Sequence, residues 1–338
     1  MKALRSLAAG LAHSGLPSVA WQVRRHRAGR AIVLMYHRIA DDDDDLCVPP
    51  ATFDRQMELL KARVRVLPLG AIVRRLASVL PLTTDIAAVT FDDGYRDNLD
   101  LALPILERHG LPATVFVTTG FVDGTRRPAG ERLRAAVTAL RVCGGGAGAW
   151  PERDATDRLV RAALAERDVR RCIATLHTHL KRVPAAHSER VLDEIERLAG
   201  SPPSANRMLD WEAVRCLARR GVEIASHTIT HPILSRVSLE RAEHELCESK
   251  RRLEAEIGQP VSGFAFPNGQ AGDFTADHIT ILQRLGYAYA CTAQRGVNRP
   301  GSHPFSLRRL GIGADSGALL DLKLAIGGRV QAPQFSAY

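Results

Sequence analysis

Two short stretches of the sequence carry side chains that bind metal ions and move protons. Asp92 and Asp93 end an apolar, β-prone run, and Gly94 directly follows them. His227 and His231 are four residues apart, a spacing that can place both imidazoles on one face of a helical turn. Two histidines and one carboxylate leave a coordination position open for water, as in catalytic zinc sites. The second carboxylate would then serve as a general base.

Each stretch also has an ordinary structural interpretation. An Asp-Asp-Gly sequence often forms a solvated turn, and a single His-x-x-x-His pair is more often structural than metal-binding. Pro232 disfavours helical geometry at His231, so we expect the two histidines on a turn. Both stretches follow predicted strands, and the exits of parallel strands lie on the same side of a sheet. We therefore expect the carboxylates and the imidazoles to converge.

The elements that must position these residues alternate between strand and helix. Strand-like runs are predicted at residues 31–36, 86–91, 113–117, 222–226, 263–266, 287–291 and 307–312. Helical patterns separate most of them, which predicts an α/β fold of parallel strands with helical crossovers. The sheet could stay open and doubly wound or close as a (β/α) barrel. The barrel is favoured because candidate site residues follow several different strands.

The middle of the chain differs in composition from the rest. Arginine and alanine dominate it, and helical periodicity runs through it, which predicts an insertion between two parts of one barrel. We expect His177 and His179 of this insertion to lie on a surface rather than in a metal site. The predicted segments are an N-terminal leader (1–30), a barrel in two parts (31–121 and 205–325), a mainly helical insertion (122–204) and a C-terminal tail (326–338).

Charge and cysteine content narrow the classes of partner. The 338 residues carry a net charge of +9 at pH 7, but no basic block alternates with aromatic residues, so nucleic-acid binding is not expected. No run approaches 18 apolar residues, so no transmembrane helix is predicted. Six widely spaced cysteines without a Cys-x-x-Cys pair are expected to be mostly buried free thiols.

The N-terminal residues make a poor secretory signal, because polar residues, glycine and proline interrupt the apolar region between residues 13 and 17. A cytoplasmic location is therefore expected, with peripheral association at the inner membrane surface, where anionic lipids attract Lys and Arg. Export through a weak signal is the alternative. No obligate protein partner can be identified from the sequence.

Three motifs resemble those of the polysaccharide deacetylases of the NodB-homology type, called carbohydrate esterase family 4. TFDDG (90–94) is similar to their first motif, SHTITH (226–231) to their second, and FAFPNG (264–269) stands where the third is expected. The resemblance covers roughly residues 31–121 and 205–313 and is closest to the branch that acts on poly-N-acetylglucosamine exopolysaccharide. It implies a distorted (β/α) barrel of about seven parallel strands, with the helical insertion outside the matched region.

The resemblance also implies an activity and a metal. A metal-dependent hydrolase would remove N-acetyl groups from an N-acetylglucosamine-type polysaccharide or glycoconjugate. By position, Asp93, His227 and His231 would hold one divalent metal, most often Zn²⁺, with Co²⁺ or Ni²⁺ as alternatives. Asp92 would take a proton from the water that attacks the acetyl carbonyl.

The third motif would supply contacts to the oxyanion and the substrate. A backbone N–H near Asn268 would stabilise the oxyanion, and Pro267 and Tyr95 are assigned to the same substrate-binding region. The motif departs from the family pattern, since many members have Arg at the position of Ala265 and an aromatic residue at that of Asn268.

A second departure leaves two roles open. The late Leu-x-His of the family is missing, because the last histidine, His303, precedes a proline. His37, at the exit of the first strand, is a candidate general acid and resembles a histidine segment of the exopolysaccharide branch; a hydrogen-bonded loop histidine is the alternative. Arg309 is the candidate residue for orienting Asp92, with Arg308 as its alternative, and at least one of them could simply be solvated.

Other functions remain open on the sequence alone. The same chemistry could act on a lipid-linked sugar, a small-molecule amide or an acetate ester of xylan. A non-catalytic glycan-binding homologue is a further alternative, supported by the two departures. The complete set of two carboxylates and two histidines argues against it, because binding alone does not need a base beside a metal.

Overall fold

The computed structural model describes residues 28–327, except 43, 79, 144–147, 149, 152–154 and 201–206. The predicted leader (1–30) and tail (326–338) therefore lie almost wholly outside the described residues, and so does the segment on which the expectation about export rests. Among the helices of the described part, none has the length and apolar character needed to cross a membrane.

Parallel strands form the centre of the described structure. They are β1 (Ala31–Tyr36), β2 (Arg38–Ile39), β3 (Cys47–Val48), β4 (Arg65–Val66), β5 (Ile86–Phe91), β6 (Ala113–Val117), β7 (Glu223–Ser226), β8 (Gly263–Ala265), β9 (Tyr289–Arg295) and β10 (Leu307–Gly311). Seven of them close into a barrel in the order β1-β10-β9-β8-β7-β6-β5, because β5 pairs back onto β1. β4 pairs with the beginning of β5, and β2 pairs with β3. The predicted barrel of about seven parallel strands is confirmed.

Helices surround the barrel and carry the chain from strand to strand. They are α1 (Pro50–Arg63), α2 (Leu69–Ala77), α3 (Leu103–His109), α4 (Thr119–Val122), α5 (Ala129–Val142), α6 (Ala155–Ala165), α7 (Val169–Leu180), α8 (Ala185–Leu198), α9 (Trp211–Arg219), α10 (Leu239–Ile257), α11 (Ala276–Arg284) and α12 (Gly317–Ile326). Asp210 and Ser238 begin α9 and α10, since each side chain accepts a hydrogen bond from a backbone N–H of the first turn. Such caps satisfy donors that have no partner inside the helix.

Both faces of the barrel strands are buried. Ala31 and Val33 of β1 belong to an apolar cluster that draws on all seven barrel strands and therefore fills the barrel interior. Ile32 and Leu34, one residue out of phase, pack outside against the helices. The alternation follows from the two-residue period of a strand, and burial of both faces is typical of parallel sheets covered by helices.

The four helices α5–α8 form a second apolar core between β6 and α9. Its fully buried members include Leu133, Val137, Val160, Leu176 and Ile195. Arg132 of α5 joins the first helix of this group to the last, because its guanidinium binds Asp193 at 2.5 Å and Glu196 at 2.8 Å on α8. This region is helical, as its composition predicts, whereas the limits 122–204 stay a prediction.

The cysteines are free thiols in the structure. Cys47, Cys172 and Cys291 are buried, and Cys143 is exposed. The other two are partly buried. No pair of these thiols forms a disulfide in the described part of the chain, so the fold is stabilised by its cores rather than by cross-links.

Candidate active site

Asp93, His227 and His231 lie together at the C-terminal end of the barrel strands. Asp93 follows β5, and His227 directly follows β7. The Nε2 atoms of His227 and His231 lie 3.5 and 3.4 Å from Asp93 Oδ1. Among the described residues, this is the one group of three His, Cys, Asp or Glu side chains close enough to share a metal ion. The structure thus brings the three predicted ligands together.

Three features of this group fit a divalent metal ion. Asp93 Oδ1 is buried and has no hydrogen-bond partner in the described structure, which is costly unless a cation binds it. Its distances to the two Nε2 atoms are close to the separation of about 3.3 Å between neighbouring ligands that bonds of about 2.0–2.1 Å give at tetrahedral zinc. His227 Nδ1 lies 2.7 Å from the Ala265 carbonyl oxygen. Since a carbonyl only accepts, Nδ1 carries the proton, and Nε2 presents its lone pair to the site.

The surroundings of Asp93 and His231 favour the protonation states that metal binding requires, whereas burial would lower the pKa of His227 but the contact with Asp93 outweighs it and raises that pKa. Burial by itself would raise the pKa of Asp93, but the contact with His227 and the charge of His231 outweigh it and hold the pKa below its ordinary value. Loss of solvent around the ring lowers the pKa of His231 to about 4. An ionised carboxylate and a neutral imidazole are the forms that bind divalent metals.

Asp92 lies beside this group and forms a buried ion pair with Arg309. Nη1 and Nη2 of Arg309 donate to Oδ1 and Oδ2 of Asp92, each at 2.7 Å. Nε of Arg309 donates to the Thr292 carbonyl at 2.8 Å, which fixes the plane of the guanidinium. Burial would raise the pKa of Asp92, but the charge of Arg309 outweighs it and lowers the pKa. Arg308, the alternative partner, is exposed, so the ionised Asp92 is oriented by Arg309.

Backbone strain in the described structure is concentrated in the loops of this site. The non-glycine residues with left-handed backbone are Asp93 (φ 75°), Thr228 (φ 69°), His231 (φ 58°) and Asn268 (φ 60°). Each such residue costs on the order of 1–3 kcal/mol and persists where the surrounding contacts enforce it. Gly94 (φ 87°) continues the turn after Asp93, and the histidine pair lies on a turn, as the following proline predicts.

The remaining predicted site residues take different positions around a cleft at this end of the barrel. His37, Tyr95 and Asn268 line the cleft. His37 is half-buried, and its charge acts on both carboxylates of the first motif. Its carbonyl oxygen accepts a hydrogen bond of 2.8 Å from Asn98 Nδ2. Pro267 is buried beside the cleft rather than in its lining.

The helical insertion forms the opposite wall of the cleft. His177, Leu180 and Lys181 line it together with the segment 126–130. As expected, His177 lies outside the group of described residues that could hold a metal, but it is not on an open surface, because α7 packs against the cleft and leaves this side chain half-buried. Loss of solvent lowers the pKa of His177 to about 3, so the ring is neutral at physiological pH. A groove along the barrel is thereby narrowed into a cleft with two walls.

Comparison with known sequences identifies the family. The sequence profile described as Polysaccharide deacetylase matches residues 81–290, which is more than half of the chain and includes both carboxylates and both histidines. The chain belongs to the polysaccharide deacetylase family. It is a carbohydrate deacetylase, and the site at the end of the barrel lies within the matched region.

Individual relatives of this deacetylase are distant in sequence and similar in fold. The protein YxkH of Bacillus subtilis (strain 168), named as a polysaccharide deacetylase, is 20% identical to this chain over 297 residues. The match covers 86% of this chain and 74% of YxkH. The Streptococcus pyogenes deacetylase PplD, solved in complex with acetate, gives a TM-score of 0.59 at 18% identity, covering 88% of this chain and 99% of its own. IcaB from Ammonifex degensii gives a TM-score of 0.57 at 18% sequence identity. The match covers 88% of this chain and 97% of the IcaB chain.

Glu245 is a residue of the deacetylase site that sequence reasoning missed. It lies on α10, is buried, and accepts hydrogen bonds from the backbone N–H groups of Ile229 at 2.9 Å and Thr230 at 2.8 Å. These two residues lie between His227 and His231, so Glu245 supports the histidine turn from behind. Its own helix contains several other glutamates, and no local pattern distinguishes it from them.

Asp273 supports the turn of the third motif of the deacetylase, as Glu245 supports the histidine turn. Its Oδ2 atom accepts hydrogen bonds from Asn268 Nδ2 at 2.6 Å and from the backbone N–H of Gln270 at 2.8 Å. The side chain of Asn268 is thereby directed toward Asp273, which leaves the backbone of the strained turn as the part that can face the substrate. The sequence signal for this residue would have been an Asp three residues after a turn, a common and unspecific pattern.

Proposed function

We propose that this deacetylase hydrolyses the N-acetyl group of an N-acetylglucosamine-type glycan or glycoconjugate, with one divalent metal, zinc, held by Asp93, His227 and His231. The observation that carries the proposal is the buried Asp93 Oδ1 atom, which has no hydrogen-bond partner in the described structure and lies 3.4–3.5 Å from two imidazole Nε2 atoms. An ionised carboxylate of separate function, Asp92, adjoins it.

The chain's own residues have distinct roles in this reaction. When bound, the metal would supply Lewis-acid polarisation of the acetyl carbonyl and lower the pKa of the attacking water. Asp92 accepts the proton from that water, and Arg309 keeps Asp92 ionised and correctly oriented. The backbone N–H of the turn at Asn268 donates to the oxyanion that develops on the carbonyl oxygen. His37, at the rim of the site, protonates the departing amine.

Support for the substrate comes from the family and from the chemistry of the cleft. PplD was solved with acetate, the product that this reaction releases. Tyr95 and Phe121 contribute to the lining of the cleft beside the proposed metal ligands, and because both rings are almost fully buried in one apolar cluster, they shape the cleft wall rather than stack on a sugar. A sugar placed there would present its acetamido group to Asp92 and Asp93.

Two measurements test the proposal. Purified protein is analysed for metal by elemental analysis, and acetate release is followed with N-acetylglucosamine oligomers, acetylated xylan and a small N-acetyl amide. We expect about one zinc per chain and the fastest release from the amino-sugar oligomers. Asp93→Asn should lose metal and activity, whereas Asp100→Asn, at an exposed ion pair with Arg96, should keep both.

The metal site would be contradicted if the purified wild-type protein contained no metal and Asp93→Asn kept the wild-type activity. Faster acetate release from xylan or from the small amide would be consistent with the metal site but would contradict the amino-sugar substrate.

A further inference from the structure

His37 lies in a one-residue gap between two strands. It follows β1, which ends at Tyr36, and precedes β2, which begins at Arg38. The Tyr36 carbonyl accepts a hydrogen bond of 3.0 Å from the backbone N–H of Asp92, so the chain that enters His37 is tied to the first motif. The position of the His37 ring over the site then depends on what holds the backbone at this residue and just after it.

The turn that carries Asp97 and Asn98 holds this backbone. Asn98 Nδ2 donates to the His37 carbonyl at 2.8 Å. Asp97 Oδ1 accepts from the backbone N–H of Ile39 at 3.1 Å. Asp97 Oδ2 accepts from Nε of Arg38 at 3.0 Å. Each of three consecutive residues is thus bound by one of two adjacent side chains.

These contacts lie in the interior of the protein. Asp97, Asn98 and Arg38 are all buried, and the Arg38 guanidinium lies 5.4 Å from the centre of the Tyr95 ring. Charge-assisted hydrogen bonds such as the one between Asp97 and Arg38 are stronger away from water than at an exposed surface. A shift of the segment that contains His37 would break several of these bonds at once, so the turn restricts its movement.

The backbone and the side chain of Asn98 both depart from an ordinary helix. Asn98 begins the π-helical segment Asn98–Ala102, which leads into α3, and such turns are rare and frequent at functional sites. Its Oδ1 atom is buried without a hydrogen-bond partner in the described structure, which costs about 1–3 kcal/mol. Exceptions of this kind are expected mainly at functional sites. In the described structure, the Asn98 amide makes one contact outside its own turn, and that contact is with His37.

We propose that Asp97 and Asn98 are positioning residues for His37, and that they hold its backbone where the imidazole reaches the amine that leaves the substrate. This inference rests on the proposed function, in which His37 protonates that amine. The ring lines the cleft and its charge acts on Asp92 and Asp93. A general acid must lie within hydrogen-bond distance of the atom that it protonates, and a displacement of about 1 Å can lower the rate about 100-fold.

The test is a double-mutant cycle of His37→Ala and Asn98→Ala, measured as acetate release from N-acetylglucosamine oligomers. We expect His37→Ala to lower kcat about 100-fold or more and Asn98→Ala to lower it about 10–100-fold, each with KM within about twofold of the wild type. Because Asn98 acts through His37, adding Asn98→Ala to His37→Ala should change kcat by less than about twofold. Losses that multiply in the double variant would show that Asn98 acts independently of His37, and they would overturn the inference.

Two further variants separate positioning from folding. Asp97→Asn keeps the size of the side chain but weakens its bonds to the segment after His37, and it should lower kcat while zinc content and KM stay at wild-type values. Asp100→Ala is the matched control in the same segment, since Asp100 is exposed and pairs with Arg96, and it should keep wild-type kinetics. If Asn98→Ala does not fold, Asp97→Asn takes its place in the cycle. A wild-type kcat in these Asp97 and Asn98 variants overturns the inference.

Crystal structures of the variants separate failure of this inference from failure of the proposed function. In Asn98→Ala we expect the His37 imidazole to be displaced by about 1 Å or more from its wild-type position, whereas in Asp100→Ala it should stay in place. If the wild type releases no acetate from the oligomers, the proposed function is wrong, and a displaced ring still supports the positioning role. If His37→Ala is slow but the ring is not displaced in Asn98→Ala, the positioning role alone is wrong.

Discussion

Arg309 binds both carboxylate oxygens of Asp92 at 2.7 Å, across a sequence separation of 217 residues. The two side chains are exposed by only 1% and 5%. Removing one partner of a buried pair leaves the other charge uncompensated, which costs about 3–5 kcal/mol. That cost comes from the unpaired charge, whereas the net contribution of the intact pair is small because burying two charges offsets their attraction. The main effect of the pair is therefore to orient Asp92 and to keep it ionised.

Replacing Arg309 should impair catalysis while sparing the metal. We expect Arg309→Met to lower kcat by about 100-fold or more, because a base with the wrong orientation and a raised pKa loses most of its contribution. Metal content should stay at the wild-type level. Arg308→Met, one residue away and exposed, should behave like the wild type. Steady-state kinetics with elemental analysis of both variants makes the comparison, and equal losses in the two would contradict the assignment.

Removal of the metal should lower stability through the three ligands. A ligand present at about 100 times its Kd stabilises the native state by about 2.7 kcal/mol, which corresponds to a Tm increase of about 5 °C. We expect a chelator to lower the Tm of the wild type by this amount and added zinc to restore the Tm. In His231→Ala neither addition should shift Tm. A zinc-dependent shift of the same size in this variant would place the metal elsewhere.

Weakening the support behind the histidine turn should reduce metal affinity. In Glu245→Gln only one oxygen remains to accept from Ile229, Thr230 and the Thr230 hydroxyl. Outer partners of metal ligands typically contribute 10–100-fold in affinity, and we expect a loss in that range by competition with a chromophoric chelator. Glu248→Gln on the same helix, a residue paired with Arg251, is the control and should bind zinc normally.

The half-buried Lys181 should make stability depend on alkaline pH. Its pKa is about 7 in the folded protein and about 10.4 in the unfolded chain, so the unfolded state holds the proton more tightly between these values. Stability therefore rises with pH from 7 to about 10, by at most about 4–5 kcal/mol. In Lys181→Met this rise should be absent. Urea unfolding of both proteins at several pH values measures the difference, and parallel curves would contradict the assigned burial.

The sequence predicts the barrel and the convergence of the candidate metal ligands, because both depend on local patterns. Strand periodicity fixes where β5 and β7 end, and parallel pairing then places Asp93 beside His227. The choice between the two adjacent arginines could also have been made locally. Leu307 is buried in the barrel interior, and the two-residue period of a strand puts Arg309, not Arg308, on the same face.

Other parts of the site depend on contacts that no local pattern reveals. Glu245 reaches the histidine turn from a helix that also carries exposed glutamates, and only the packing of α10 selects it. The partial burial of His177 in the cleft wall has no sequence signal, because the sequence does not show what the insertion packs against. The position of α7 over the site depends on how the four helices of the insertion pack around their own core. This packing is tertiary structure, which local sequence patterns do not reveal.

The position of β10 between β1 and β9 has a consequence for synthesis of the protein. The strand that closes the barrel is the last one to leave the ribosome, so β1 and β9 keep open edges until it arrives, and open edges invite pairing with other chains. Asp92 emerges early but gains its counter-ion only when Arg309 is made. An incomplete chain thus carries the proposed metal ligands without an oriented base, and we expect deacetylation only after the barrel is closed.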